Sequence, residues 1–152
     1  MSRRRSRSRP AASPAASPAV SPAVSPAAPC PCGLPASYAD CCARFHRGLL
    51  AAPTAEVLMR SRYSAFAVRD RAYLLRTWHP DTRPRDPVPA PGVRWLRLEI
   101  LATTGGSPFH SEGTVAFRAH YAERGHEESL YEHSRFVRLA GAWVYLDASG
   151  GK

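Results

Sequence analysis

Gly113-Thr114-Val115-Ala116-Phe117-Arg118-Ala119-His120-Tyr121-Ala122-Glu123 alternates along its length, with Val115, Phe117, Ala119 and Tyr121 on one side and Thr114, Ala116, Arg118, His120 and Ala122 on the other. Successive side chains of a strand point to opposite faces, so this period of two predicts a half-buried β-strand. Turns close it at both ends, Gly105-Gly106 before it and Arg124-Gly125-His126 after it. Upstream, Val93 to Thr103 repeats the pattern. Leu96, Leu98, Ile100 and Ala102 are expected on one face, and Trp95, Arg97, Glu99 and Leu101 on the other. Downstream, Glu128 to Leu139 reads as a third strand, Ala140-Gly141 as a turn and Ala142 to Asp147 as the last strand. Strands separated by short turns, with no helix between them, predict an antiparallel meander.

Ahead of the strands the period is helical. Thr54 is a helix N-cap, Glu56 sits favourably in the first turn, and Leu58, Met59, Tyr63, Phe66 and Ala67 form an apolar stripe. Arg60 and Arg62 interrupt that stripe and read as a solvated flank, or as partners of a buried acid. Asp70 caps a second short helix through Ala72, Tyr73, Leu74, Leu75 and Trp78, which must end near His79 because Pro80 disfavours helical geometry in the residue before it. The proline-rich loop from Asp81 to Gly92 is expected to lie over a pocket mouth. Helices first and sheet after is the α+β class.

All four cysteines fall within thirteen residues, as Cys30-Pro31-Cys32 and then Cys41-Cys42. Four soft thiolates gathered so tightly form the ligand set of a tetrahedral Zn²⁺. Disulfides would require an oxidising compartment, and the basic N-terminus lacks the apolar segment of an export signal. No run approaches the length of a membrane span, so the expected location is the cytoplasm and no membrane insertion is expected. Gly33 permits a sharp turn after Cys32, and Ser37 is placed to cap a helix carrying Cys41 and Cys42 in its first turn. Adjacent cysteines on a helix point about 100° apart. His46, four residues after Cys42 on the same face, is therefore a substitute ligand.

The chain has 152 residues and a net charge of +9, and Lys152 is its only lysine. Five of those charges are Arg3, Arg4, Arg5, Arg7 and Arg9, in a stretch without acids that runs on into Ser-Pro-Ala repeats. Residues 1–29 therefore read as a disordered tail, able to touch nucleic acid or an anionic surface only through charge.

The cysteine pattern resembles the SEC-C zinc motif found at the C-terminus of the SecA translocation ATPase. The segments Leu58-Met59-Arg60-Ser61-Arg62-Tyr63-Ser64-Ala65-Phe66 and Thr77-Trp78-His79-Pro80 resemble the bacterial YchJ-like family, as does the closing run from Ser134 to Asp147. That resemblance implies a SEC-C-like zinc knuckle over residues 30–50, followed over 54–150 by an NTF2-like cone of two or three helices and a curved antiparallel sheet. It also implies a structural zinc on Cys30, Cys32, Cys41 and Cys42. Gly33-Leu34-Pro35 departs from the usual Gly-Ser-Gly at that point of the motif. The resemblance names a fold and a metal but no reaction.

Inside such a cone the candidate pocket residues are Tyr63, Trp78, His79, Trp95, Arg97, Glu132 and Arg135. Glu132, Ser134 and Phe136 share one strand face, and a buried pair of Glu132 with Arg60 or Arg97 is expected to be architectural. No phosphate loop, nucleophile elbow or carboxylate metal cluster appears, so a reading without catalysis is preferred. Two functions fit. One is an adaptor that contacts a protein or nucleic acid through the zinc motif and basic tail. The other is a small-molecule-binding or enzymatic cone with a purely structural zinc.

Overall fold

The computed structural model of the chain describes residues 24–88 and 91–148. Most of the tail expected at residues 1–29 lies outside them. The described part of that tail is not a spacer. Tyr38 N–H donates to Ala28 O at 2.8 Å and Ala39 N–H to Pro26 O at 2.9 Å, so the knuckle begins several residues before its first cysteine.

Three helices, α1 (Cys42–His46), α2 (Ala55–Val68) and α3 (Arg71–Arg76), precede four strands, β1 (Val93–Gly105), β2 (Glu112–Glu123), β3 (His126–Leu139) and β4 (Ala142–Ala148). The strands pair antiparallel in the order β1-β2-β3-β4, the expected meander. Thr54 Oγ1 accepts from Val57 N–H at 3.1 Å and starts α2, and Asp70 Oδ1 accepts from Tyr73 N–H at 3.0 Å and starts α3. Each cap satisfies a donor that has no partner within its own helix.

Helix α3 stops at Arg76, a turn earlier than expected. Trp78 leaves it to bridge Tyr145, with His79 N–H donating to Tyr145 O and Tyr145 N–H to Thr77 O, both at 2.8 Å. Sheet hydrogen bonds thus replace the last helical turn.

The core of the cone sets Leu58, Met59 and Tyr63 of α2 against Val115, Phe117, Phe136 and Trp143 of the sheet. Helix α2 is buried on more than this side, since Ser61, Ser64 and Ala65 are fully enclosed as well. At its start the β1–β2 turn packs closely. Gly106, at φ 74°, accepts from Ala55 N–H at 3.0 Å, and a methyl group on it would sit 2.8 Å from the Ala55 Cβ.

Strand β1 corrects the sequence reading. Its pairing with β2 slips between Trp95 and Arg97, and again between Ile100 and Ala102. An extra residue in one strand reverses the inward–outward phase beyond it. Trp95 therefore packs on the core with Leu98 and Ile100, while Ala102 turns outward and is exposed.

Candidate functional site

Residues 28–38 fold into a small loop that returns Cys30 and Cys32 to the start of α1. Cys30 N–H donates to Ala36 O at 3.0 Å, and Gly33, at φ 93°, closes the turn with its N–H on Cys30 O at 3.1 Å. Ser37 does cap, accepting from Asp40 N–H at 3.2 Å, but the element it caps is a turn. The helix begins at Cys42, four residues later than a Ser37 cap implies, and Cys41 (φ −130°, ψ −110°) stands outside helical geometry. That break removes the obstacle posed by adjacent cysteines, because the two side chains no longer diverge as helical neighbours do.

The four sulfur atoms lie within 4.8 Å of one another, and all four residues are buried. None is disulfide-bonded: Cys32 Sγ and Cys41 Sγ stand 3.6 Å apart, against about 2.05 Å for a disulfide. A tetrahedral Zn²⁺ with Zn–S of about 2.3 Å has sulfur–sulfur edges of roughly 3.8 Å, so the quartet fits one such ion. Hydrogen bonds from the Cys32 and Cys42 thiols hold Cys30 far below the ordinary thiol range, and the same contacts push Cys42 far up. Burial lifts Cys41 to about 12. Without a cation the cluster therefore favours a thiolate at Cys30 and protonated thiols at Cys41 and Cys42, and a bound divalent ion would favour the thiolate at those two as well.

The knuckle is clasped to α2. Arg60 donates to Cys32 O at 2.9 Å while pairing with Glu56 at 3.2 Å, Cys42 Sγ approaches Arg60 O at 3.7 Å, and Cys30 Sγ meets Ser64 Oγ at 3.5 Å. His46 is not among the gathered ligands. Its Nε2 donates to Ser61 O at 2.8 Å and its Nδ1 accepts from Tyr38 OH at 2.6 Å, so the ring braces α1 against α2.

Burial lowers the His46 pKa from its ordinary value of about 6.5. The unfolded chain then binds more protons between the two values. The stability lent by the neutral ring is thus present above about pH 6.5 and is lost as the pH falls towards the folded value. Thermal unfolding at steps from pH 7.5 to 5 should show the midpoint falling with acidification. The fall should be shallower in His46→Gln, and equal slopes in the two proteins would refute the assignment.

The second concentration of chemistry lies inside the cone, in a cavity of about 260 Å³. Of the expected pocket residues, Tyr63, Trp78, Trp95 and Glu132 line it. Three do not. Arg97 lies on the outer face, 3.2 Å from Glu127 and 3.4 Å from His120, which in turn meets Glu99 at 2.7 Å. Arg135 is also outside, donating twice to Asp147 at 2.7 Å, because neighbours of the inward Ser134 and Phe136 must point away. His79 accepts from Asp81 N–H at 3.0 Å and orders the start of the proline-rich loop, whose Pro87 reaches the cavity.

Glu132 is paired neither with Arg60 nor with Arg97. Its Oε2 accepts from Tyr145 OH at 2.8 Å and from Ser134 Oγ at 2.7 Å. The buried cation of this pocket is Arg62, 3% exposed, stacked between the rings of Trp78 (4.6 Å) and Tyr145 (4.8 Å). Burial brings it down to about 10, which leaves it charged at neutral pH. The signal for Arg62 was present in the sequence. Leu58, Met59, Arg62, Tyr63 and Phe66 stand at i, i+1, i+4, i+5 and i+8, one face of a helix. Tyr145 gave no such signal, since only the sheet register sets it beside Glu132.

These features define a class: an NTF2-like α+β cone preceded by a four-cysteine knuckle of the SEC-C type. The comparisons agree. Residues 54–148 match the YchJ middle NTF2-like domain. A UPF0225 protein of Streptomyces avermitilis is 62% identical over 120 residues, covering 79% of this chain and 83% of that protein. A UPF0225 protein of Bordetella parapertussis is 50% identical over 123 residues, covering 79% and 91%. Among solved structures, a SEC-C motif-containing protein from Rhodopseudomonas palustris superposes with a TM-score of 0.68 at 30% identity, covering 79% of this chain and 96% of that one. Another SEC-C motif-containing protein, from Psychrobacter arcticus, superposes at 0.64 and 29% identity, covering 81% and 82%. The chain belongs to the YchJ-like family. Among the described residues no helix is long and apolar enough to cross a membrane.

Proposed function

We propose that this chain is a metal-stabilised binding module in which Cys30, Cys32, Cys41 and Cys42 hold a structural Zn²⁺ and the knuckle meets a protein partner. The observation that carries the metal is the buried quartet of sulfurs within 4.8 Å of one another. Four thiolates are a soft donor set, and they leave a tetrahedral ion no open position for water, so the ion would supply a fixed tie and no reaction.

A partner contact is supported by the exposed leucines around the knuckle, Leu34 (41%), Leu49 (68%) and Leu50 (48%), set beside Arg44 and Arg47. Large apolar side chains with arginines nearby suit a protein surface that pairs apolar and acidic groups. A nucleic acid would be met by cations and polar groups instead.

Metal analysis of protein purified without chelator should find about one zinc per chain, and none bound in Cys30→Ser. A zinc-free protein with reactive thiols would overturn the metal assignment. A pull-down comparing wild type with a Leu49→Asp, Leu50→Asp variant tests the contact. Retention of every wild-type partner by the variant would rule the leucine surface out.

A further inference from the structure

A structural ion leaves the cone cavity unexplained. Its outer walls are aromatic, with Trp95 meeting Tyr63 at 5.9 Å and Phe66 at 6.0 Å between ring centres. Its lining also carries two opposite charges, Arg62 and Glu132, and each is fixed through a single atom. Both hydrogen bonds of Arg62 leave from Nη1, to Leu74 O at 3.0 Å and Thr77 Oγ1 at 2.7 Å. Both hydrogen bonds of Glu132 arrive at Oε2. Among the described residues no hydrogen bond reaches Arg62 Nε or Nη2 or Glu132 Oε1, and no fully enclosed side-chain nitrogen or oxygen goes unpaired, so each group keeps an open edge while lining the cavity.

The chemistry of an occupant follows from this pairing. The two charges sum to zero, so an anion would gain Arg62 but meet Glu132, and a cation would face the converse penalty. A purely apolar guest would strip water from both edges and give nothing back, and unsatisfied buried polar groups are costly. Size sets the rest. An apolar cavity of about 150 Å³ accepts benzene, and the larger space here leaves room for a second ring or a polar edge.

We infer that the cavity binds a neutral, planar molecule of one or two rings that carries a hydrogen-bond donor and acceptor side by side, as a lactam or ring amide does, with the donor on Glu132 and the acceptor on Arg62. The aromatic walls supply stacking and the paired charges supply orientation. The site is independent of the knuckle's partner surface and uses none of the cysteines.

Nuclear magnetic resonance tests it on the full chain. Trp78 and Trp95 line the cavity, whereas Trp143 donates its indole N–H to Pro53 O at 3.1 Å and serves as an internal control. Three probes of similar shape are titrated: quinolin-2-one, naphthalene and 1-naphthoate. Quinolin-2-one should shift the indole signals of Trp78 and Trp95 saturably and leave that of Trp143 in place. It should bind at least about tenfold more tightly than either of the other two, and Glu132→Gln should narrow that advantage, because a neutral amide accepts less strongly from the lactam N–H and costs less to desolvate under naphthalene. Absence of saturable shifts with quinolin-2-one would overturn the inference, as would naphthalene or the naphthoate binding as tightly as the lactam. The probe comparison on wild-type protein decides the matter even if the variant does not fold. Failure here leaves the zinc count untouched, so this result and the metal result fail separately.

Discussion

Cys32→Ser is expected to remove the bound ion and to cost on the order of 5 kcal/mol, because binding free energy at a structural thiolate site is folding free energy. Cys32 is fully buried, its sulfur packs beside that of Cys41, and its carbonyl accepts from Arg60, so the residue joins the cysteine cluster to α2. A domain of this size has only about 5–15 kcal/mol to lose, so the variant should sit near its unfolding midpoint at room temperature. Thermal unfolding with and without a chelator gives the check. The chelator should lower the wild-type midpoint strongly and leave that of Cys32→Ser where it is. A wild-type midpoint indifferent to chelator would mean that the sulfurs hold no ion that matters to the fold.

Arg62→Met is expected to cost about 3–5 kcal/mol, although it keeps the unbranched apolar stem of the side chain. The substitution removes the donor to Leu74 O and Thr77 Oγ1, and it takes the stacked cation from between Trp78 and Tyr145. It also leaves the Glu132 carboxylate without an opposite charge nearby. Adding Glu132→Gln should recover about 1 kcal/mol of the loss, a coupling that a double-mutant cycle in urea would read directly. Arg97→Ala, on the outer face, should leave the midpoint unmoved, since a solvent-exposed pair contributes little. A cost for Arg62→Met below about 0.5 kcal/mol would contradict the view that this arginine holds the inner end of the cavity.

Much of the fold could be read from local chemistry. Thr54 and Asp70 announced the starts of α2 and α3 because short oxygen-bearing side chains satisfy unpaired helical N–H groups, and both do so here. Strand β2 could be read because Val115, Phe117 and Ala119 meet the core at the expected spacing of two. Strand β1 could not. The slips beside Leu96 and Leu101 are decided by pairing with β2, and a one-residue slip sent Trp95 to the face opposite the one its spacing predicted. The same limit governs the pocket. The phase of Arg97 came only from strand pairing, Arg135 was already excluded by the period of two that puts Ser134 and Phe136 inside, and Arg62 lay on the buried helical stripe but was discounted for its charge. Clustering brought the cysteines together on the page, but the backbone break at Cys41 that lets neighbours converge has no sequence signature.

Helix α2 has almost no side left for water. Ala55, Leu58, Met59, Ser61, Arg62, Tyr63, Ser64, Ala65 and Val68 are all enclosed, some by the sheet, some by α3 and some by the cysteine loop. The matched NTF2-like domain starts at residue 54, yet the lodging of that central rod depends on what lies ahead of it. Cutting the chain at Ala52 would therefore not release two parts able to stand alone. It would bare the side of α2 that carries Arg60, Ser61, Ser64 and Val68, and the protein should melt as a single all-or-none body, not knuckle first and cone second.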